Sequence, residues 1–340
     1  MAELPSYPFE RLDHGVAKEV APGIFWVRMP LPFALNHVNL WLLRDGDGWT
    51  VIDTGYNDDE TRAHWETVFE ATLGGRPITR LIVTHFHPDH LALAGWFVER
   101  FGCALWMTYS EWMQAHLNRL GGATADIDAR LKFYAAHGIA DEGALGYREK
   151  RPDFARIILP LPDAVHRMND GDAIAIGGRA WRVITGAGHS PEHAALWCEE
   201  LNVLISGDQV LPRITTNVSL QCVEPDGDPL RLYLDSLGKF RAVAPDALVL
   251  PSHDRPFHGL HDRLDALADH HAERLEAAYD ACAEPRTGVE LIPALFHRAL
   301  DAHQMGFAIG EALSHAQYLV GEGRLAKRRD ADGLIRYRHA

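Results

Sequence analysis

Apolar runs of strand length recur along this chain, and most of them stop at a turn built from Gly, Ser, Pro or Asp. Ile24-Phe25-Trp26-Val27-Arg28 and Val38 to Leu43 are rich in β-branched and aromatic residues and read as strands. Asp45-Gly46-Asp47-Gly48 reads as a hairpin turn into a third strand, Trp49 to Asp53. Leu81-Ile82-Val83-Thr84 predicts another. Further on, Ala173 to Ile176 turns at Gly177-Gly178 into Ala180 to Ile184, and Ala194 to Trp197 turns into Val203-Leu204-Ile205. Ala247-Leu248-Val249-Leu250 closes the series.

Between and after these runs the period lengthens to that of helices. Asp58 to Leu73 is amphipathic and ends at Gly74-Gly75, and Leu91 to Phe101 is stopped by Gly102. Glu111 to Leu120 and Thr124 to His137 continue the helical pattern, followed by the charged run Arg148-Glu149-Lys150-Arg151. Past residue 260 the chain is helical almost throughout. His261 to Ala283 is broken by Glu284-Pro285-Arg286-Thr287-Gly288, then come Val289 to His303 and Phe307 to Val320, separated by Gly306. Arg324 to Tyr337 reads as a short hairpin. The pattern predicts one large domain of mixed helix and sheet and a smaller helical appendage.

The strand ends carry the chemistry. His85-Phe86-His87-Pro88-Asp89-His90 follows the run that ends at Thr84, placing three imidazoles and a carboxylate within six positions of a tight loop. Neutral imidazole and carboxylate are ligands that zinc, iron or manganese accept. Four such groups so close together cannot spread over a helix face, so they converge at the strand's end. An isolated His-x-His would be as well explained as a polar loop in a chain with 20 histidines. Here three other strand ends supply partners: His189 in Thr185-Gly186-Ala187-Gly188-His189-Ser190-Pro191, Asp208 in Ser206-Gly207-Asp208, and His253 after Pro251-Ser252. Loops on a rigid sheet are where such sites are built.

In sequence order these motifs resemble the metallo-β-lactamase superfamily: a His-x-His-x-Asp-His loop, a later His, an Asp and a last His. Val51-Ile52-Asp53-Thr54-Gly55 resembles that family's first motif, whose Asp supports the site from behind. The resemblance covers roughly residues 20 to 260. It implies an α+β fold, the αββα sandwich, over residues 1–260, with a helical insertion at about 110–151. Carried over position by position, His85, His87 and His189 would hold one metal and Asp89, His90 and His253 a second, with Asp208 bridging. Two divalent ions are implied, zinc foremost, with iron or manganese fitting the same donors. A hydroxide bridging them would attack an electrophilic carbonyl or phosphorus, with the water's pKa lowered from 15.7 towards about 7. Asp89 and Asp208 are the catalytic carboxylates in this scheme, either of them able to pass a proton to the leaving group.

Departures from the common family form mark further candidates. Glu192 and Ser252 stand where Gly is frequent, and no Cys replaces Asp208. His193 is placed to orient a ligand imidazole, and His37 starts an early strand that borders the cleft in relatives. Arg213 is the one strong cation near the site in sequence, suited to a substrate carboxylate or phosphate or to a surface acid. Trp112, Met113, Leu117, Leu131, Phe133 and Tyr134 in the insertion are expected to pack on the sheet, and some of them to line an acyl pocket. Residues 261–340 resemble the winged-helix-like tail of one branch of the superfamily, read here as a lid or a homodimer-forming module.

Composition narrows the function. Apolar residues make up 47% and charged ones 24%, as in ordinary globular proteins. No stretch approaches the roughly 18 apolar residues that span a bilayer, and the start Met1-Ala2-Glu3-Leu4 lacks a signal-peptide pattern. Cys103, Cys198, Cys222 and Cys282 show no paired spacing, which suits a reducing cytoplasm. The net charge of −14 disfavours a phosphate backbone as partner. The reading is therefore a binuclear metallo-hydrolase of a small thioester, lactone or amide. The alternatives are a metal-dependent ribonuclease or nucleic-acid binder and, behind them, an iron-dependent redox enzyme.

Overall fold

The computed structural model describes residues 5–33, 35–122, 126–139 and 154–340, without the side chains of residues 302 and 303. The expected charged run Arg148 to Arg151 lies outside the described residues. Within them the chain forms two compact units. The first comprises residues 1–120, 154–216 and 236–264, and the second residues 121–153, 217–235 and 265–340. A single cut at residue 260 was expected. Instead, segments from the middle of the chain contribute to the second unit.

The first unit holds two sheets. Strands β1 (Ala17–Ala21), β2 (Ile24–Pro30), β3 (His37–Asp45) and β4 (Gly48–Ile52) form an antiparallel meander. Helix α1 (Asp59–Thr72) then leads to β5 (Ile78–Ile82), after which come α2 (Pro88–Leu91), α3 (Ala94–Phe101) and β6 (Ala104–Thr108). Helix α4 (Tyr109–Arg119), α5 (Ile127–Ala136) and α6 (Phe154–Ile157) precede β7 (His166–Met168), which completes a sheet ordered β1 to β7. From β4 to β7 the pairing is parallel. The second sheet is built from β8 (Ala173–Ile176), β9 (Arg179–Gly186), β10 (His193–Cys198) and β11 (Val203–Gly207). After α7 (Pro229–Lys239), β12 (Leu248–Pro251) adds to β11 in parallel, giving the order β12-β11-β10-β9-β8.

Alternation along the strands explains how two layers of core arise from one sheet. Val38, Leu40 and Leu42 of β3 enter a core with Trp65, Val68 and Phe69 of α1 and Phe97 of α3. Trp41 and Leu43 of the same strand enter a second core with Trp181, Val183, Leu196 and Ile205 of the other sheet. Both faces of β3 are thus buried, which is why Val38 to Leu43 is apolar at every position but Asn39. The result is an αββα sandwich. The expected helix Leu91 to Phe101 is interrupted: α2 and α3 are separate, and Gly102 ends α3 in the left-handed region at φ 60°. The meander's hairpin pairs Asp45 with Gly48 across two residues, as the sequence predicts.

The second unit contains α5, α9 (Gly288–Leu295), α10 (Ala302–Gly321) and a small sheet of β13 (Arg286–Thr287), β15 (Ile335–His339) and β14 (Leu325–Arg329). Helix α8 (Leu260–Ala281) precedes β13 and crosses the boundary between the units. The sequence reading broke the helices at Gly306, but that residue lies inside α10. The break comes earlier because Asp301 caps α10 in a capping box with Gln304, satisfying its first amides. Leu131 and Tyr134 of α5 are buried, while Met113 and Leu117 of α4 are 38% and 42% exposed. Among the described residues no helix is long and apolar enough to cross a membrane.

Candidate metal centre

Asp53 follows β4 in the left-handed region, at φ 61°, a conformation that costs a residue with a Cβ about 1–2 kcal/mol. Its carboxylate offsets that cost. Oδ1 accepts from the Thr84 amide at 2.7 Å, and Oδ2 accepts from Thr84 Oγ1 and His90 Nδ1, each at 2.8 Å. Since Thr84 gives its hydroxyl proton to Asp53, its oxygen accepts from His85 Nδ1 at 3.0 Å. This network commits Nδ1 of both rings and turns His85 Nε2 and His90 Nε2 inward, where each can take a cation. His253 is fixed in the same sense by its Nδ1, which donates to the His37 carbonyl at 2.9 Å.

The inward nitrogens converge. His85 Nε2 lies 2.9 Å from His87 Nδ1 and 3.3 Å from His189 Nε2. Beside this group, Asp89 Oδ2 lies 3.5 Å from His90 Nε2 and 3.6 Å from His253 Nε2. Asp208 stands between the two. Its Oδ1 is 3.6 Å from His90 Nε2 and 3.4 Å from His253 Nε2, while Oδ2 is 3.5 Å from His189 Nε2. All seven sequence-predicted ligand residues therefore meet at one place.

Charge follows position. Burial holds His85 well below the ordinary imidazole range, helped by His90 and His87, and takes His87 down to about 3. Burial opposes protonation of His90 as well, but Asp89, Asp208 and Asp53 outweigh it and push His90 well up. His253 is raised in the same way by Asp208 and Asp89 against its burial. Asp89 is lowered to about 2 because His90 and His253 outweigh burial, and Asp208 is held well below the usual carboxylate range by His253 and His90 against its burial. The pocket thus concentrates carboxylate charge and calls for cations.

The donor set fits divalent metal. Among the described residues, His90 Nε2 and Asp208 Oδ1 are buried without a hydrogen-bond partner, a costly arrangement unless a cation faces them. Ligand atoms of His85, His87 and His189 lie within 4.8 Å of one another, as do those of Asp89, His90 and His253, and those of His85, His90 and Asp208. Imidazole and carboxylate alone suit zinc, iron or manganese.

The supporting candidates act through the ligands. His193 Nε2 accepts from the Asp208 amide at 3.1 Å. A Cβ at Gly207, which sits at φ 55°, would collide with that ring. His37 is 9% exposed; besides its carbonyl on His253, its Nε2 accepts from the Asp254 amide at 2.8 Å. Arg213 is exposed and lies 3.9 Å from Asp254, the acid-pairing role rather than a buried anion clamp.

Two residues escaped the sequence reading. Glu111 of α4 is fully buried: Oε2 accepts from the Phe86 amide at 2.9 Å, and Oε1 accepts from Ser190 Oγ and the Glu192 amide, each at 2.6 Å. Its carboxylate ties the loop of His85 and His87 to the loop of His189. Burial pushes its pKa up to about 7 against those three donors. Nothing in the sequence distinguishes it from a solvated helix acid. Asn39 takes the Trp26 indole on its Oδ1 and donates to the carbonyls of Pro251 and Asp254, anchoring the His253 loop. A polar side chain inside the apolar run Val38 to Leu43 was the available signal.

Comparison with known proteins agrees with this arrangement. A profile of the metallo-beta-lactamase superfamily matches residues 34–253, and one for a metallo-beta-lactamase-like C-terminal domain matches residues 275–340. The chain belongs to the metallo-beta-lactamase superfamily. A solved beta-lactamase domain protein from Burkholderia ambifaria is 46% identical, with a TM-score of 0.92 over 99% of this chain and 98% of that one. The "Probable metallo-hydrolase YqjP" of Bacillus subtilis is 26% identical over 87% of this chain and 92% of its own. The "Acyl-coenzyme A thioesterase MBLAC2" of Gallus gallus is 28% identical over 57% of this chain and 65% of its own length.

Proposed function

We propose that the protein is a binuclear metallo-hydrolase that cleaves a small ester-like bond, with a thioester as the leading substrate class. The carrying observation is the bridging stance of Asp208, whose two oxygens face two separate sets of imidazoles. His85, His87 and His189 would hold one ion and Asp89, His90 and His253 the other, zinc being the first candidate. Bound there, the ions would supply a water of lowered pKa and a Lewis acid for the oxyanion. The chain's own part is preorganisation. Asp53, Thr84 and the His37 carbonyl keep three imidazole lone pairs turned inward, so little reorganisation is left for the reaction. Asp89 is less buried than Asp208, which suits it to take up the proton released by the attacking water and relay it to the leaving group.

The thioester preference is supported by the relative whose name describes an acyl-coenzyme A thioesterase, and by an aromatic pair at the site. Phe33 and Tyr56 meet edge to face at 5.4 Å, and the Tyr56 phenol is raised by burial, Asp58 and Asp89. The Asp89 charge reaches that phenol, and this ring pair is our candidate wall for an apolar acyl group. The order helix, short strand, two helices and hairpin from α8 to β15 supports a winged-helix-like reading of the tail. Several of its basic residues are already paired: Arg324 with Glu276, Lys327 with Asp226 and Arg336 with Asp332, each at 2.8 Å. This weighs against the ribonuclease and nucleic-acid readings, and a lid or dimer role suits the tail better. Metal-loaded protein assayed on thioester, lactone, amide and phosphodiester substrates tests the proposal. Thioester hydrolysis that disappears in His87→Ala and Asp208→Ala supports it; phosphodiester cleavage alone would refute it.

A further inference from the structure

We propose that His14, Glu60 and His64 form a second, peripheral divalent-metal site that clamps the N-terminal segment to α1. The ligand atoms of all three lie within 4.8 Å of one another. Glu60 and His64 are one helical turn apart in α1, with His64 Nε2 3.7 Å from Glu60 Oε1. His14 comes from the segment before β1, its ring edge-on to His64 with centroids 6.2 Å apart.

The site is prearranged from both sides. On the segment, Arg28 Nη1 donates to the Leu12 carbonyl at 3.1 Å and the Gly15 amide donates to the Arg28 carbonyl at 2.9 Å, pinning the chain on either side of His14. On the helix, His64 packs so closely on Gly15, which sits at φ 70°, that a Cβ there would collide with its imidazole. His14 Nε2 is buried and has no hydrogen-bond partner among the described residues. A buried ring nitrogen without a partner, beside a second imidazole and a carboxylate, is what a borderline cation such as Zn²⁺ satisfies. Two neutral imidazoles and one carboxylate make three protein ligands and leave a position open to water. Burial, with Arg28 and His64 beside it, lowers the His14 imidazole against the opposing pull of Glu60 and Asp13, which keeps the ring neutral for a cation. Glu60 is largely exposed, so the ion would exchange freely with solvent, as a clamp set by metal supply rather than a permanent staple.

This site is independent of the hydrolase reading, and its test is made so. In a His87→Ala/Asp208→Ala background, which disables the Asp208-centred cluster, Zn²⁺ is titrated by equilibrium dialysis with elemental mass spectrometry. Adding His14→Ala and His64→Ala should remove about one Zn²⁺ per chain. The thermal midpoint of the background protein should also rise with the logarithm of Zn²⁺ concentration, and that rise should vanish in the fourfold variant. Glu60→Gln changes an exposed side chain and cannot unfold the helix, and it should weaken Zn²⁺ binding in the same background. Equal Zn²⁺ uptake with and without the two histidines, or no effect of Glu60→Gln, would overturn the proposal.

Discussion

Glu111 offers the sharpest perturbation of the centre that leaves every ligand in place. In Glu111→Gln the amide oxygen can still serve Ser190 and the Glu192 amide. The NH₂ group then faces the Phe86 amide, which Glu111 Oε2 now accepts at 2.9 Å. One buried donor loses its partner, a cost of about 1–3 kcal/mol. Glu111→Ala strands all three donors and opens a cavity, for a loss of about 3–5 kcal/mol. Part of this cost falls on metal affinity, because Phe86 sits between His85 and His87 and Ser190 follows His189. Groups of this kind support affinity by about 10–100-fold. Chelator competition on the zinc-loaded protein, with urea denaturation of the metal-free form alongside, separates the two effects. The expected result is weaker metal binding in both variants, Ala worse than Gln. Unfolding at lower urea with metal affinity unchanged would show that Glu111 merely packs α4 and would refute the reasoning.

Other expectations follow from particular contacts. Asp53→Asn replaces an acceptor that fixes His90 and Thr84 with a group that is half donor, and should weaken metal binding about 10–100-fold by chelator competition. Gly207→Ala drives a Cβ into His193 and should displace Asp208, lowering metal content in elemental analysis. His271 and His315 are buried and hydrogen-bonded at 3.2 Å, with burial lowering them to about 3 and about 4. Such depressed imidazoles stabilise the fold above the unfolded-state value of about 6.5, and that stability drains away as pH falls below it. Each should cost about 2 kcal/mol between pH 7 and pH 5. Urea midpoints of wild type and His315→Gln across that range test it, and parallel slopes would exclude the pair as the cause.

The candidate centre was legible in the sequence because its residues sit where apolar strands end in turns, so spacing and residue type coincide. His85, Asp208 and His253 were readable from their local runs alone. Glu111 and Asn39 were not, because their roles depend on which loops the fold brings beside them. Asn39 bonds the carbonyl of Pro251 across 212 positions of sequence, a relation no local pattern carries. Strand β6 (Ala104–Thr108) does not stand out in the sequence because no turn signal separates it from α4, which follows at Tyr109. The makeup of the second unit is illegible in the sequence for the same kind of reason. Helix α5 belongs to it through long-range burial, with the Val289 amide donating to the His137 carbonyl at 3.0 Å. Periodicity shows that a helix exists; it does not say which core receives it.

The central claim is that two ions share Asp208, and crystals of the zinc-loaded protein test it by anomalous scattering at the metal edge. The account predicts two peaks about 3.5–4 Å apart. One should lie on His85, His87 and His189, the other on Asp89, His90 and His253, with Asp208 reaching both. A single peak at this centre, or density that leaves Asp208 uncoordinated, would contradict it.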